Sequence, residues 1–142
     1  MTTNASPYTS KRQSLGKQGE RLAIKFLEEK GYSIQHINWR AGKLGEIDII
    51  ASPPPEKPFY LEFLVFVEVK TRRNQGFVSS LEAITPEKQR RMVIVAEAYL
   101  QQRNLTETQV RFDLIAITVY PTSDPSVMQH PPDIIHLENC IA

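Results

Sequence analysis

The side chains best suited by type and spacing to do chemistry are two acids and a lysine: Asp48, Glu68 and Lys70. They lie in two apolar segments, residues 44–51 and 60–70, whose content of Ile, Val and Phe is typical of β-strands. Because alternate residues of a strand point to the same face, Glu68 and Lys70 should stand side by side. If the two strands pair, Asp48 and Glu68 can share that face and converge.

This set of side chains suits a divalent cation held against a phosphate. Two carboxylates match Mg²⁺, with Mn²⁺ as a substitute, because such a cation takes one or two protein carboxylates and keeps several waters. A lysine beside the metal can orient a bound water and stabilise charge on the phosphate. No Ser or Cys has an evident base, so acyl transfer is disfavoured.

A purely structural interpretation of the same charges is also open. Carboxylates in an apolar strand need a partner, and Glu68 and Lys70 could form a salt bridge with each other. Asp48 could accept backbone N–H bonds at a strand end. Strict alternation places Glu46 on the face of Asp48, where it could support a metal ligand or form a salt bridge, and places Ile47 and Ile49 on the opposite face.

The elements that would position these residues follow the order α-β-β-β-α-β-(β). Residues 1–14 have the composition of a flexible tail, and helical periodicity starts at Leu15 and stops at Lys30-Gly31. A cap residue and a proline, Thr85-Pro86, predict a second helix that ends near Gln102. The predicted strands are Tyr32 to about Arg40, Leu44–Ala51, Tyr60–Lys70, Val110–Tyr120 and a short Ile134–Leu137. We expect one α/β domain, residues 15–142, with a central mixed sheet and a helix on each face.

Composition limits the classes of protein that fit. The 142 residues suffice for one core, and 41% hydrophobic with 23% charged residues is a globular balance. A net charge of +1 excludes a protein that coats nucleic acid through overall charge, so any such contact needs a local patch. Cys140 is the one cysteine, and no apolar run approaches the ~20 residues of a membrane span. These features predict a cytoplasmic protein that does not enter membranes.

Basic residues that could contact phosphates cluster after the site strand and at the start of the second helix. The alternative for any single one is an ordinary solvated charge. Trp39 could stack on bases beside Arg40, although a packed tryptophan is more frequent. The candidate nucleic-acid contacts are Arg40, Arg72, Arg73, Lys88 and Arg91.

An Asp followed about twenty residues later by Glu-Val-Lys at the end of an apolar strand resembles the PD-(D/E)XK motif of restriction-endonuclease-like nucleases. Ile47, not proline, precedes Asp48. The closer resemblance is to the bacterial YraN-like family, related to archaeal-type Holliday-junction resolvases, from about Gly16 to Ile117. The segments that carry it are Gly19-Glu20, Asn38-Trp39-Arg40, Gly45-Glu46-Ile47-Asp48, Phe66-Val67-Glu68-Val69-Lys70-Thr71-Arg72 and Arg111-Phe112-Asp113.

The resemblance implies a restriction-endonuclease-like fold and a Mg²⁺-dependent endonuclease that acts on DNA, with branched or damaged DNA as candidate substrates and a homodimer as a candidate assembly. It implies that Asp48, Glu68 and the backbone carbonyl of Val69 bind the metal and that Lys70 is catalytic. It also implies that Glu20, on the first helix, reaches the metal site directly or through water. Taken alone, Glu20 fits a solvated acid equally well.

Two other classes of function compete with the nuclease. One is a nucleic-acid-binding module that keeps the nuclease fold without turnover, and the other is a structural or protein-interaction domain. Buried acids beside a lysine favour the nuclease, since a site without function has no physical reason to retain them. Asp113 is expected to have a hydrogen-bonding role in the structure. The three histidines, which lack ligand spacing, are expected to be incidental: His36, His130 and His136.

Overall fold

The computed structural model describes residues 7–55, 63–73 and 84–141, which form two helices and five strands. A short 3₁₀ turn, Gly42–Leu44, separates the first two strands. In chain order the elements are α1 (Pro7–Glu29), β1 (Ser33–Arg40), β2 (Glu46–Ser52), β3 (Phe63–Arg73), α2 (Pro86–Gln102), β4 (Gln109–Val119) and β5 (Asp133–Leu137). The predicted order of helices and strands is confirmed, including the short final strand.

The five strands form one mixed sheet in the order β1-β2-β3-β4-β5. Only β3 and β4 pair in parallel, and α2 connects them; the other neighbours are antiparallel. The sheet buries Ile49, Val65 and Val67 against α1, and Ile50, Leu64 and Phe66 against α2. The helices therefore cover opposite faces, as predicted, and this α/β arrangement is consistent with a restriction-endonuclease-like fold.

The first helix is longer than the sequence indicated. It begins at Pro7, so residues 7–14, which were expected to belong to a flexible tail, are helical, and residues 1–6 lie outside the described part. A proline fits this position because backbone N–H groups in the first turn of a helix have no partner within the helix, so the N–H that proline lacks is not needed. The predicted end is confirmed: Gly31 has φ 93° and the Tyr32 N–H donates to the Leu27 carbonyl at 3.0 Å. Neither described helix has the length and hydropathy to cross a membrane.

The third strand also extends further than predicted. Its backbone pairs with β4 as far as Arg73 opposite Val119, so residues 71–73 belong to the strand and not to the following loop. The predicted strand residues 60–62 and loop residues 74–80 lie outside the described part. The start of α2 is confirmed, because the Thr85 side chain accepts from the Lys88 backbone N–H at 3.2 Å.

Strict alternation fails in β2 at Asp48. Ile47 packs in the cluster under α2, whereas Ile49 packs in the cluster under α1, so the prediction that they share a face is wrong. The opposing strand is irregular at the same level, where Asn38 has φ 52°. The pairing between β2 and β3 ends at Ile49 opposite Val67. Asp48 therefore lies where these two strands separate.

Candidate active site

Asp48 joins the two strands at the point where their backbone pairing has ended. Its Oδ2 accepts a hydrogen bond from the Val69 backbone N–H at 2.8 Å. The carboxylate thus replaces the carbonyl that a continued ladder would have offered to this N–H group. The structural role considered for Asp48 is present, and it uses one of the two carboxylate oxygens.

Asp48 and Glu68 line the same pocket, as the sequence predicted if their strands paired. The pocket has a volume of about 370 Å³ and lies on the α2 side of the sheet. Met92, which belongs to the α2 core cluster, forms part of its wall. The charged residues that line it are Glu46, Asp48 and Glu68 with Arg40, Lys43, Lys88 and Arg91. Acids and bases therefore face one cavity, which can hold a cation and an anionic group together.

Lys88 is the ionic partner of Glu68. Its Nζ lies 3.3 Å from Glu68 Oε1, and the two side chains are 38% and 18% exposed. Within the described residues Glu68 makes no ion pair with Lys70, so that structural explanation of the two charges is not supported. Lys70 is partly buried and pairs through its backbone with Ala116 of β4, and it does not line the pocket. The positively charged side chain beside Glu68 in the pocket is thus provided by α2.

Glu20 reaches the neighbourhood of Asp48 from α1. Its Oε2 accepts from Asn38 Nδ2 at 3.1 Å, and its charge contributes to raising the pKa of Asp48. The preceding residue, Gly19, is buried, and a Cβ there would overlap the Thr71 side chain. A glycine at this position allows α1 to lie directly on β3, one residue after Lys70. Glu20 does not line the pocket on the α2 side.

Gly45 allows the turn before β2 to pack against α2. Gly45 has φ 137°, a backbone angle that residues with a side chain rarely adopt. A Cβ added to Gly45 would lie 2.9 Å from Arg91 Cδ and 3.2 Å from Val95 Cγ2. This contact sets the distance between the turn and the helix. It therefore shapes the pocket wall immediately before Glu46 and Asp48.

The charges around Asp48 make its ionised form unfavourable. Burial and then the negative charge of Glu68 raise its pKa to about 7, against an ordinary value of 3.8. Glu20 and Glu46 add smaller effects in the same direction, and the hydrogen bond from Val69 opposes them. A positive charge placed between Asp48 and Glu68 would relieve this repulsion.

The donor set fits a hydrated hard cation and does not fit a zinc site. Within the described residues no three His, Cys, Asp or Glu side chains lie close enough together to hold a metal by themselves. Zinc sites need three or four such ligands. Mg²⁺ needs one or two carboxylates and takes its remaining ligands from water and backbone carbonyls. Asp48 and Glu68 provide that minimum, and the role of the Val69 carbonyl stays a prediction.

The predicted nucleic-acid contacts separate into two groups. Arg40, Lys88 and Arg91 line the pocket, whereas Arg72 and Arg73 lie at the end of β3 and do not. Arg40 is exposed and pairs with the pocket acid Glu46 at 3.2 Å. Trp39, the neighbour of Arg40, packs edge-on against Tyr99 with ring centroids 5.1 Å apart, which is the packed outcome considered for it.

Three residues have roles that the sequence did not indicate. Lys43 lines the pocket, and Asn38 holds Glu20. His136, expected to be incidental, has a side chain only 3% exposed, and its Nε2–H donates to Asp113 Oδ2 at 2.7 Å. The expectation for His136 is wrong because the buried carboxylate of Asp113 needs hydrogen-bond donors, and His136 provides one from a distant part of the chain. The structural role expected of Asp113 is confirmed, since it is fully buried and also accepts from Arg111.

The fold and pocket define an α/β protein in which paired acids face basic side chains. The model of the uncharacterised protein family UPF0102 matches residues 19–117, and the chain belongs to that family. The UPF0102 protein of Rhodococcus jostii is 40% identical over 114 residues, which cover 80% of this chain and 90% of its own. The UPF0102 protein of Phocaeicola vulgatus is 37% identical over 121 residues, which cover 85% and 91%. The region matched by the family model contains Glu20, Asp48, Glu68 and Lys70.

Proposed function

We propose that this protein is a Mg²⁺-dependent endonuclease of the restriction-endonuclease-like superfamily that hydrolyses phosphodiester bonds in DNA. Branched or damaged DNA is the candidate substrate. The observation that carries the proposal is that Asp48 and Glu68 line the same pocket as Arg40, Lys88 and Arg91. Two carboxylates suit a hard cation, and several basic side chains suit phosphates, so this pocket offers the groups that metal-dependent phosphodiester hydrolysis can use.

Asp48 and Glu68 would hold the cation, together with the Val69 carbonyl. A bound Mg²⁺ would supply a more acidic water and neutralise charge on the phosphate. Arg40, Lys88 and Arg91 would bind the DNA backbone around the cleaved bond. Glu46, which is paired with Arg40, would keep that guanidinium at the pocket edge.

The predicted roles of Lys70 and Glu20 belong to this proposal as well. Lys70 would orient the attacking water, and Glu20 would contact the cation through water. Both roles require access to the metal position from the point where β2 and β3 separate. A cytoplasmic location and a homodimer also stay predictions; the homodimer would offer two sites for cutting two strands.

One observation favours a second candidate, a nucleic-acid-binding module without turnover. Lys70, the predicted catalytic lysine, does not line the pocket that holds the two acids and the other basic side chains. A protein of this kind would use the basic side chains to bind phosphates and would not need Asp48 for affinity. Its binding would weaken steeply with salt.

The test incubates purified protein with linear, nicked and branched DNA in Mg²⁺ or Mn²⁺. The nuclease predicts cleavage that Asp48→Asn and Glu68→Gln abolish and that Lys70→Ala strongly reduces. Glu97→Gln, on the exposed face of α2, is the charge-matched control and should cleave normally. Cleavage that survives Asp48→Asn would contradict the proposed site. Salt-sensitive binding without cleavage in any metal, unchanged in Asp48→Asn, would establish the second candidate.

A further inference from the structure

The ion pair between Lys88 and Glu68 connects the proposed cation site to the proposed phosphate site. The Lys88 backbone is fixed at the start of α2 by the hydrogen bond from its N–H to Thr85 Oγ1. Its side chain is less constrained, because it is 38% exposed and has a flexible four-carbon stem. The ammonium group can therefore change partner while the helix stays in place.

A divalent cation and the Lys88 ammonium compete for the same carboxylate. Nζ lies 3.3 Å from Glu68 Oε1, which is the separation of a direct ion pair. A cation that binds Glu68 would bring two positive charges within a few ångströms of each other, and their repulsion is strong in a partly buried pocket. The arrival of the cation should therefore release Lys88.

The other basic side chains of the pocket that form ion pairs differ from Lys88 in the acids with which they pair. Arg40 pairs with Glu46 and Arg91 pairs with Glu87, and neither acid is a proposed metal ligand. Among these ion pairs only that of Lys88 includes a candidate ligand, so only this cation should lose its partner when the metal binds. A phosphate at the same pocket would offer the released ammonium a new partner.

We propose that Lys88 is the counter-ion that a divalent cation displaces from Glu68, and that the freed ammonium then binds the nucleic-acid phosphate. Lys88 thereby couples the two ligands: the cation raises affinity for nucleic acid, and nucleic acid raises affinity for the cation. This inference rests on the proposed function, because it takes Glu68 as a metal ligand. It adds a reason for a lysine at this position that phosphate binding alone does not supply.

The first test measures Mn²⁺ affinity by calorimetry without DNA. Lys88→Met removes the competitor, so Mn²⁺ should bind about threefold to tenfold more tightly than to the wild type. Arg90→Met is the matched control, since Arg90 is exposed on the same helix and does not line the pocket; its Mn²⁺ affinity should change less than about twofold. Lys88→Arg retains a competing cation and should stay close to the wild type. Equal or weaker Mn²⁺ binding by Lys88→Met would overturn the proposal.

The second test measures the coupling through DNA affinity. Fluorescence anisotropy with a labelled duplex is recorded in EDTA and in Ca²⁺ for the wild type and Lys88→Met. In EDTA Lys88→Met should bind DNA only modestly more weakly than the wild type, since Lys88 is engaged with Glu68 and its loss acts through local net charge alone. Ca²⁺ should raise the affinity of the wild type and should raise that of Lys88→Met by a clearly smaller factor. An equal gain in both proteins would refute the coupling.

The same titrations separate failure of this inference from failure of the proposed function. Mn²⁺ binding that Asp48→Asn abolishes but Lys88→Met leaves unchanged would remove only the role of Lys88. An absence of Mn²⁺ binding to the wild type would overturn the metal site and this inference with it. Thermal unfolding of each variant in EDTA verifies that the proteins compared are folded.

Discussion

Replacing Asp48 with Asn should stabilise the metal-free protein, and the gain should increase with pH. The substitution keeps the shape of the side chain and an oxygen that can accept the Val69 N–H bond. It removes a carboxylate whose pKa burial and the charge of Glu68 raise to about 7. In the metal-free protein, the fold therefore disfavours the ionised form of the residue that we propose as a metal ligand.

The sign and size of the effect follow from proton linkage. Because the folded state binds the Asp48 proton more tightly than the unfolded state, the wild type loses stability as the pH rises from the ordinary pKa of 3.8 towards 7. One pKa unit corresponds to about 1.36 kcal/mol, so the full shift is worth roughly 4 kcal/mol. About 2 to 3 kcal/mol of this develops between about pH 5 and pH 8.

Urea unfolding in EDTA at these two pH values measures the prediction. The advantage of Asp48→Asn over the wild type should be larger at the higher pH by about 2 to 3 kcal/mol. Glu97→Gln, an exposed acid on α2, should show no such pH-dependent gain. An advantage that does not change with pH would mean that burial and neighbouring charge do not raise the pKa of Asp48. Added Mn²⁺ should stabilise the wild type more than Asp48→Asn, reducing or reversing the difference.

Three further perturbations test the surroundings of the site. Asp113→Asn should destabilise the fold by about 3 kcal/mol, because it breaks a buried charge network. Hydrogen bonds from His136 and Arg111 hold the pKa of Asp113 below its ordinary value despite burial. Thermal melts should therefore show that the wild type loses stability in acid more steeply than the variant. Gly19→Ala should cost about 1 to 3 kcal/mol in urea unfolding by its overlap with Thr71, whereas Gly16→Ala, with open space around it, should be neutral or stabilising. Lys43→Ala should weaken DNA binding and lower the salt slope by about one; an unchanged slope would remove this residue from the phosphate contacts.

Local signals were sufficient to predict most of the elements. The Thr85-Pro86 pair starts α2, and Lys30-Gly31 ends α1, because caps and left-handed glycines act within one helical turn. The apolar runs identified the strands, since both faces of β3 are covered. The missed start of α1 at Pro7 reflects polar residues that lack a clear apolar stripe.

The candidate site was predictable only in part because its contacts join distant segments. The acid pair, Asp48 and Glu68, was predictable because each acid is adjacent to a residue of the last β2–β3 pair, Ile49 and Val67, and alternation from that pair places both acids on the same face. The ion pair of Glu68 with Lys88 depends on how α2 lies over the sheet, which spacing along the chain does not encode. Lys70 shares the strand face of Glu68 by alternation, yet it does not line the pocket, because a shared face does not determine which side chains border one cavity.

The hydrogen bonds of Asp113 extend the folding unit beyond the stretch that identifies the family. The family match ends at residue 117, whereas His136, on β5, and the Asn139 backbone N–H both donate to this buried carboxylate. A chain shortened before β5 would leave the acid with two fewer donors in an apolar interior. Strand β5 therefore stabilises the region that the family model matches. The need for a donor to Asp113, more than twenty positions upstream, constrains the residue at position 136.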